Sequence, residues 1–181
     1  MRRISHSIMI LVAITFAGHC LPAQGADSLV VRGAVLKPGR WSPQDVQQRL
    51  ASQIQSIKFN TGRDELQHAG KGIPLISLLQ EAAPKTEKAP KHYDLTFLVI
   101  IEARDSYRVF FSLAELLPTC GNAQAYLIWE MDSKPLTADE APFRLIVSSD
   151  RGHDRNIYAI SSITLVDGTK LANQLAAGRQ P

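Results

Sequence analysis

Tyr107-Arg-Val-Phe-Phe-Ser-Leu-Ala-Glu-Leu116 changes its character halfway along. Tyr107 to Phe111 is aromatic and β-branched, the composition a strand favours. Ser112-Leu-Ala-Glu115 then has the form of a capping box: the serine side chain accepts from an amide three residues on, and the glutamate reaches back. A strand therefore feeds a short helix that runs to about Leu117 and stops before Pro118. Upstream, Leu95-Thr-Phe-Leu-Val-Ile-Ile101 is almost wholly apolar, the pattern of a central strand covered on both faces. Arg104-Asp-Ser106 supplies the turn between the two, so they read as a hairpin.

Further out, strands and helices continue to mix. Leu29 to Leu36 reads as a strand, and Lys37-Pro-Gly-Arg40 as a turn in which glycine permits positive φ. Ser42-Pro43 is an N-cap followed by proline at the first helical position. Val46, Leu50 and Ile54 recur at helical spacing after it. Ile57-Lys-Phe59 reads as a short strand before the Asn60-Thr-Gly62 turn. Gly72-Ile-Pro-Leu-Ile-Ser-Leu-Leu79 opens a second helix over 74–83, with Leu75, Leu78 and Leu79 on one face. Pro84 to His92 is a polar surface loop. Tyr126 to Trp129, Phe143 to Val147 and Ile157 to Val166 complete the strands, and the polar tail after Asp167-Gly168 is expected to fray. There is no strict βαβ alternation, so the class is α+β around a mixed sheet.

Three phrases in order carry a family resemblance: Gly72 to Leu79, Tyr107 to Leu116, and Ala141-Pro-Phe-Arg-Leu-Ile-Val147, the last preceded by Lys134-Pro-Leu. Together they resemble the molybdopterin-binding domain of the sulfite oxidase superfamily, over about Leu29 to Val166. The resemblance implies a compact α+β domain with a mixed, partly barrel-like sheet and a few short helices. It also implies a pocket for molybdopterin or a related pterin. Family members that hold molybdenum supply a cysteine thiolate upstream of the first phrase, and residues 27–71 contain no cysteine. Ser148-Ser149 also stands where Pro-Gly often closes the third phrase. A metal centre without that thiolate lacks the ligand that anchors it and tunes its potential.

The N-terminus has the form of a secretory signal. Met1-Arg2-Arg3 is positive, Ile8 to Phe16 is apolar, and Ala23-Gln24-Gly25 offers small residues for cleavage. The apolar run is too short for a permanent membrane span. A lipoprotein reading through Cys20 is weakened by His19, which stands where a small residue is expected. The expected organisation is a signal peptide at 1–25, one domain at 26–168 and a flexible tail at 169–181, in a periplasmic or secreted protein. Of 20 basic and 17 acidic residues, Arg2 and Arg3 leave with the signal, so 18 against 17 give the mature chain +1. Such a balance shows no cationic face for nucleic acid.

Few residues are equipped for chemistry. After residue 25 the histidines stand at 68, 92 and 153, with no His-Glu-x-x-His, no Cys-x-x-Cys and no Gly-x-Ser-x-Gly. Ordinary zinc, haem and hydrolase sites are not expected. Cys120, in Pro118-Thr-Cys-Gly-Asn122, is the one soft ligand of the mature chain. It reads as a small residue packed under a loop, or as a redox-active or metal-binding thiol.

Ser149-Asp-Arg-Gly-His-Asp-Arg155 collects two arginines and a histidine around Gly152. Forked guanidinium donors suit a phosphate or other anion. The resemblance places Arg144, Arg151 and Arg155 at the pterin pocket, with His153 beside them and His68 and Lys71 near its mouth. The competing reading is a solvated loop in which Asp150 and Asp154 neutralise the arginines. Trp41 and Trp129 read as core or interface aromatics.

The expected function is an exported binding, sensory or accessory module for a small anionic or pterin-like ligand, with a periplasmic protein partner as a further expectation. No metal, nucleic acid or stable membrane insertion is expected. The alternatives are an oxidoreductase subunit with an atypical metal site involving Cys120, and a scaffold for protein interaction.

Overall fold

The computed structural model describes residues 27–61, 66–86 and 92–178. The expected signal peptide, Cys20 and Gly62 lie outside the described residues, as does part of the 84–92 loop.

Among the described residues, two five-stranded sheets and four short α-helices form the domain. The first sheet contains β1 (Leu29–Gly33), β2 (Gly39–Trp41), β5 (Phe97–Ala103), β6 (Arg108–Ser112) and β10 (Ile160–Asp167), in the order β2-β1-β10-β5-β6. β1 runs parallel to β10 with Val30 opposite Ser162, and the other pairs are antiparallel. The second sheet runs β3 (Gln55–Asn60), β4 (Gln67–Pro74), β7 (Ala125–Met131) and β8 (Lys134–Pro135), with β9 (Arg144–Val147) also paired to β7. The expected α+β class is present, but its strands divide between two sheets that do not close into a barrel.

The helices sit where local chemistry starts them. α1 (Pro43–Arg49) has Ser42 as its cap, and Asp45 completes a reciprocal capping box. α2 (Leu75–Ala82) buries Leu75, Leu78, Leu79 and Ala82 completely. Each such leucine contributes roughly 1.5–3 kcal/mol of transfer free energy. α3 (Leu113–Leu116) follows β6 directly, as its sequence predicts.

At α3 only one arm of the expected box is present. The Ser112 hydroxyl accepts from the Glu115 amide, but the Glu115 carboxylate turns to Arg155. The expected fraying tail is instead α4 (Gly168–Ala177), capped by Asp167, with none of its residues buried.

The main core fills the space between the sheets, drawing Leu29, Val31, Phe97, Ile101 and Leu165 from one and Ile73, Leu127 and Leu145 from the other. Trp41 and Trp129 join it as core aromatics. β5 neighbours the edge strand β6 rather than lying at the sheet centre, and its burial alternates, with Leu98 and Ile100 half-covered. A second, small cluster of Ile57, Phe59, Ile128 and Ile146 lies on the opposite face of the second sheet.

Two glycines are fixed by close approach. Gly33 has φ +93°, and a Cβ there would stand 2.1 Å from the Leu165 carbonyl oxygen. The positive φ expected in the 37–40 turn falls here instead. At Gly72 the register between β4 and β7 shifts, and a Cβ would meet the Leu127 oxygen at 2.2 Å. The glycine of the Gly-Ile-Pro-Leu phrase thus belongs to a strand, β4, which polar and glycine-rich residues hide from a sequence reading.

Candidate functional site

The end of β9 and the loop after it build the most chemically furnished cleft. All four residues of β9 are buried, so the chain leaves the core abruptly at Ser148. The loop returns on itself: the Val147 amide donates to Asn156 Oδ1 at 2.8 Å, and the Asn156 amide to the His153 carbonyl at 2.9 Å. Gln124 ties its first residues down, accepting from the Ser148 amide at 2.9 Å and donating its own amide to the Ser149 hydroxyl.

Arg155 fastens the other end. Its Nε and Nη2 both donate to Asp150, the first at 2.7 Å, and Nη1 donates to Glu115 at 2.7 Å. The guanidinium carbon also lies 4.4 Å from the centre of the Phe111 ring. The Asp150 carboxylate first, and Glu115 after it, hold the guanidinium above its ordinary pKa, against a desolvation cost. The expected pairing of Asp150 with an arginine is present, and it involves Arg155.

Under this loop lies a cavity of about 340 Å³. Phe59 and Ile146 give it an apolar floor; Lys58, Arg151 and His153 bring basic groups; Asn60, Gln67, Ser148 and Asn156 bring neutral hydrogen-bonding groups. Asp150 also lines it, committed to Arg155. The antiparallel register of β3 with β4 sets Asn60 opposite Gln67 and so brings both to the same rim.

Of the residues singled out in the sequence, Arg151 and His153 line this cavity. Arg155 shapes it from behind, through Asp150. Arg144 does not line the cavity but lies behind its floor, its guanidinium carbon 5.7 Å from the centre of the Phe59 ring. It is 1% exposed, donates to Glu140 Oε1 at 3.2 Å and to the Tyr158 hydroxyl at 3.0 Å, and stacks over the Tyr158 ring at 4.2 Å. It acts as a buried strut between β9 and its neighbours.

His68 stands on β4, its Nδ1 2.7 Å from Asp132 Oδ2, and its ring centre is 6.0 Å from that of Phe59. Asp132 also accepts from the Ala69 amide at 2.9 Å. That amide, and then His68, hold the Asp132 carboxyl below the usual aspartate range. His68 therefore backs the Phe59 floor from outside the cavity lining.

Cys120 is exposed, where the packed-in reading expects it buried. Its turn closes tightly on α3: a Cβ at Gly121 would stand 2.7 Å from Glu115 Cα. Its neighbours Pro118 and Asn122 border a different cleft, of about 300 Å³. Among the described residues, no three His, Cys, Asp or Glu side chains converge as metal ligands. The donor set around the loop cavity fits an anion better than a thiolate-anchored molybdenum, since none of the described residues that line it carries sulfur.

Sequence reasoning missed Lys58, Asn60, Gln67 and Glu115. Lys58 lies inside the Ile57–Phe59 stretch read as a short strand and Asn60 opens the turn after it, and polar residues at a strand end beside a turn are a usable signal. Gln67 and Glu115 reach the site only through pairings distant in sequence.

No family model and no curated protein matches the chain. Among solved structures, a chain of the sulfane dehydrogenase SoxCD from Paracoccus pantotrophus is similar, with a TM-score of 0.57 and 17% identity over 80% of this chain. The match covers 39% of that chain, so the present sequence spans about two fifths of its length. At this identity the likeness is one of fold, and it places the chain in the α+β, sulfite-oxidase-like fold class that the three phrases imply.

Proposed function

We propose that this chain is a ligand-binding module, sensory or accessory in role, that takes a small anionic ligand of the pterin type in the cleft under the 148–156 loop. One observation carries the reading: the cavity sets Lys58, Arg151 and His153 around an apolar floor of Phe59 and Ile146. A flat apolar body with a phosphate or carboxylate at one end matches that distribution, because guanidinium and ammonium groups recognise oxyanions while aromatic and aliphatic surface receives the ring. A pterin would be held there by the loop and the basic groups. Oxygen-atom transfer at a molybdenum would need, besides the pterin, a metal ligand that these residues do not furnish. The fold likeness to an oxidoreductase chain supports a shared scaffold, and shared scaffolds often carry different functions. The N-terminal pattern of Arg2, Arg3 and the Ile8–Phe16 apolar run supports a place of action in the periplasm or outside the cell.

The test is elemental analysis and fluorescence of the protein purified from a host that makes molybdopterin. Pterin without stoichiometric molybdenum supports the reading, and Lys58→Ala and Arg151→Ala should each weaken pterin retention about tenfold, as loss of one charge-assisted hydrogen bond does. Stoichiometric molybdenum would overturn it in favour of an oxidoreductase with an atypical metal site. Absence of both, with no saturable binding of a phosphorylated pterin, would leave a protein-interaction scaffold.

A further inference from the structure

A second cavity, of about 490 Å³, has the opposite chemistry. It lies where the start of α1 faces the β7–β8 hairpin, with Pro43, Gln44 and Gln47 on one side and Trp129, Glu130, Pro135 and Leu136 on the other. Asp27, Ala141 and Pro142 complete the lining. Among the described residues that line it the ionisable ones are two carboxylates, Asp27 and Glu130, and none is basic. Its volume falls within the range of small-molecule sites.

Three features point to one kind of ligand. One part of the wall is apolar and rigid, made by three prolines, a leucine and the indole of Trp129, which is 7% exposed, while Gln44 and Gln47 make it polar elsewhere. The charge is of one sign. Lys71 approaches Glu130 from outside at 3.9 Å, but that pair is half in solvent and leaves two carboxylates against one ammonium. Finally, the Trp129 indole N–H, although its residue is more than nine-tenths buried, has no acceptor among the described residues. An aromatic wall beside carboxylates attracts cations through both ring quadrupole and charge.

We infer that this cleft binds an organic cation: an ammonium or guanidinium on an apolar body, with a hydrogen-bond acceptor for the Trp129 N–H. The site is separate from the anion cleft and does not depend on it. The chain thereby presents two clefts of opposite charge, one on each kind of ligand.

The test is a calorimetric and tryptophan-fluorescence titration of the full protein with benzylammonium, beside benzyl alcohol and benzoate. Saturable benzylammonium binding is expected, at least tenfold tighter than benzyl alcohol and weakened by raised salt. Glu130→Gln and Asp27→Asn, both at exposed or half-exposed positions and so compatible with folding, should each reduce it several-fold. Lys71→Ala should strengthen it. A lysine-bearing capped peptide competing as well as benzylammonium would identify the cation as a partner's side chain, and failure to compete would identify a free amine; either keeps the class of ligand. Equal affinity for benzylammonium and benzyl alcohol would overturn the inference, as would binding that ignores both carboxylate substitutions, or no saturable binding at all.

Discussion

Arg155 and Glu115, separated by forty positions, meet at 2.7 Å and join the 148–156 loop to the short helix after β6. The same guanidinium grips Asp150, so one side chain fixes the loop at its base and against its neighbour. Planar, forked donors make such a double attachment possible, and an ammonium cannot reproduce it.

Arg155→Lys should therefore loosen the loop without removing its charge. Exchange of the 150–156 amides should quicken, and anion affinity in the neighbouring cleft should fall several-fold, while global stability changes by about 1 kcal/mol or less, as for a partly exposed pair. Hydrogen exchange alongside calorimetry checks both. Unchanged exchange with lost affinity would mean that Arg155 contacts the ligand itself.

Arg144 answers differently because it is buried. Glu140→Gln removes the carboxylate that pairs with its guanidinium at 2% side-chain exposure, and should cost on the order of 3 kcal/mol. Denaturant unfolding measures the loss. Ligand affinity, extrapolated to the folded fraction, should stay within about twofold.

Gly72→Ala should destabilise the domain by about 1–3 kcal/mol, the range for forcing extra volume into a packed site. The clash is with the Leu127 backbone, which no side-chain rotation relieves. Gly39→Ala, where a Cβ meets nothing within 4 Å, is the control and should be near neutral. Thermal unfolding of the two variants separates them.

Acid should weaken the fold in a defined window. Asp45 is held below the ordinary aspartate value by the Ser42 side chain and amide, and Glu81 below the glutamate value by Arg49. Asp132 is depressed by the Ala69 amide and His68. A carboxylate with a lowered folded pKa contributes stability above its unfolded pKa and loses it as pH falls through the folded one. Tm should thus be level above about pH 5 and fall below about pH 4. Asp45→Asn should lower the neutral plateau and flatten the acid slope; an unaltered slope would remove Asp45 from this account.

Cys120 should react with a thiol reagent in the native protein at the rate of an open thiol, since it lies on the surface. Cys120→Ser should leave pterin retention and metal content unchanged. Loss of bound metal in that variant would restore the oxidoreductase reading.

Much of the fold could be read where local chemistry decides it. Ser42-Pro43 starts α1 at the expected residue, and the β5–β6 hairpin and β6–α3 junction fall as their composition predicts. β4 could not be read, because Gln67 to Gly72 is polar and glycine-rich. Its strand form comes from lying between β3 and β7, a tertiary constraint. α4 was hidden for another reason: it buries nothing, Leu171 and Leu175 are its only large apolar residues, and an Asp167 cap starts it. In the candidate site, the loop's basic residues were visible and their division of labour was not. Whether an arginine faces a ligand, braces a loop or props a core depends on which carboxylate lies near it, and Glu115 reaches Arg155 across forty positions only after folding.

The parallel pairing of β1 with β10 has a consequence for how the molecule comes into being. β10 is the middle strand of its sheet, and it is the last strand among the described residues. A ribosome releases the first strand long before the one that must lie beside it, and until then β1 has only the three-residue β2 as a partner. The sheet cannot close from its beginning, and such long-range closure is slow. In a polypeptide of this design the first sheet stays open until β10 is free, while the second, which does not contain β10, is not bound by that delay.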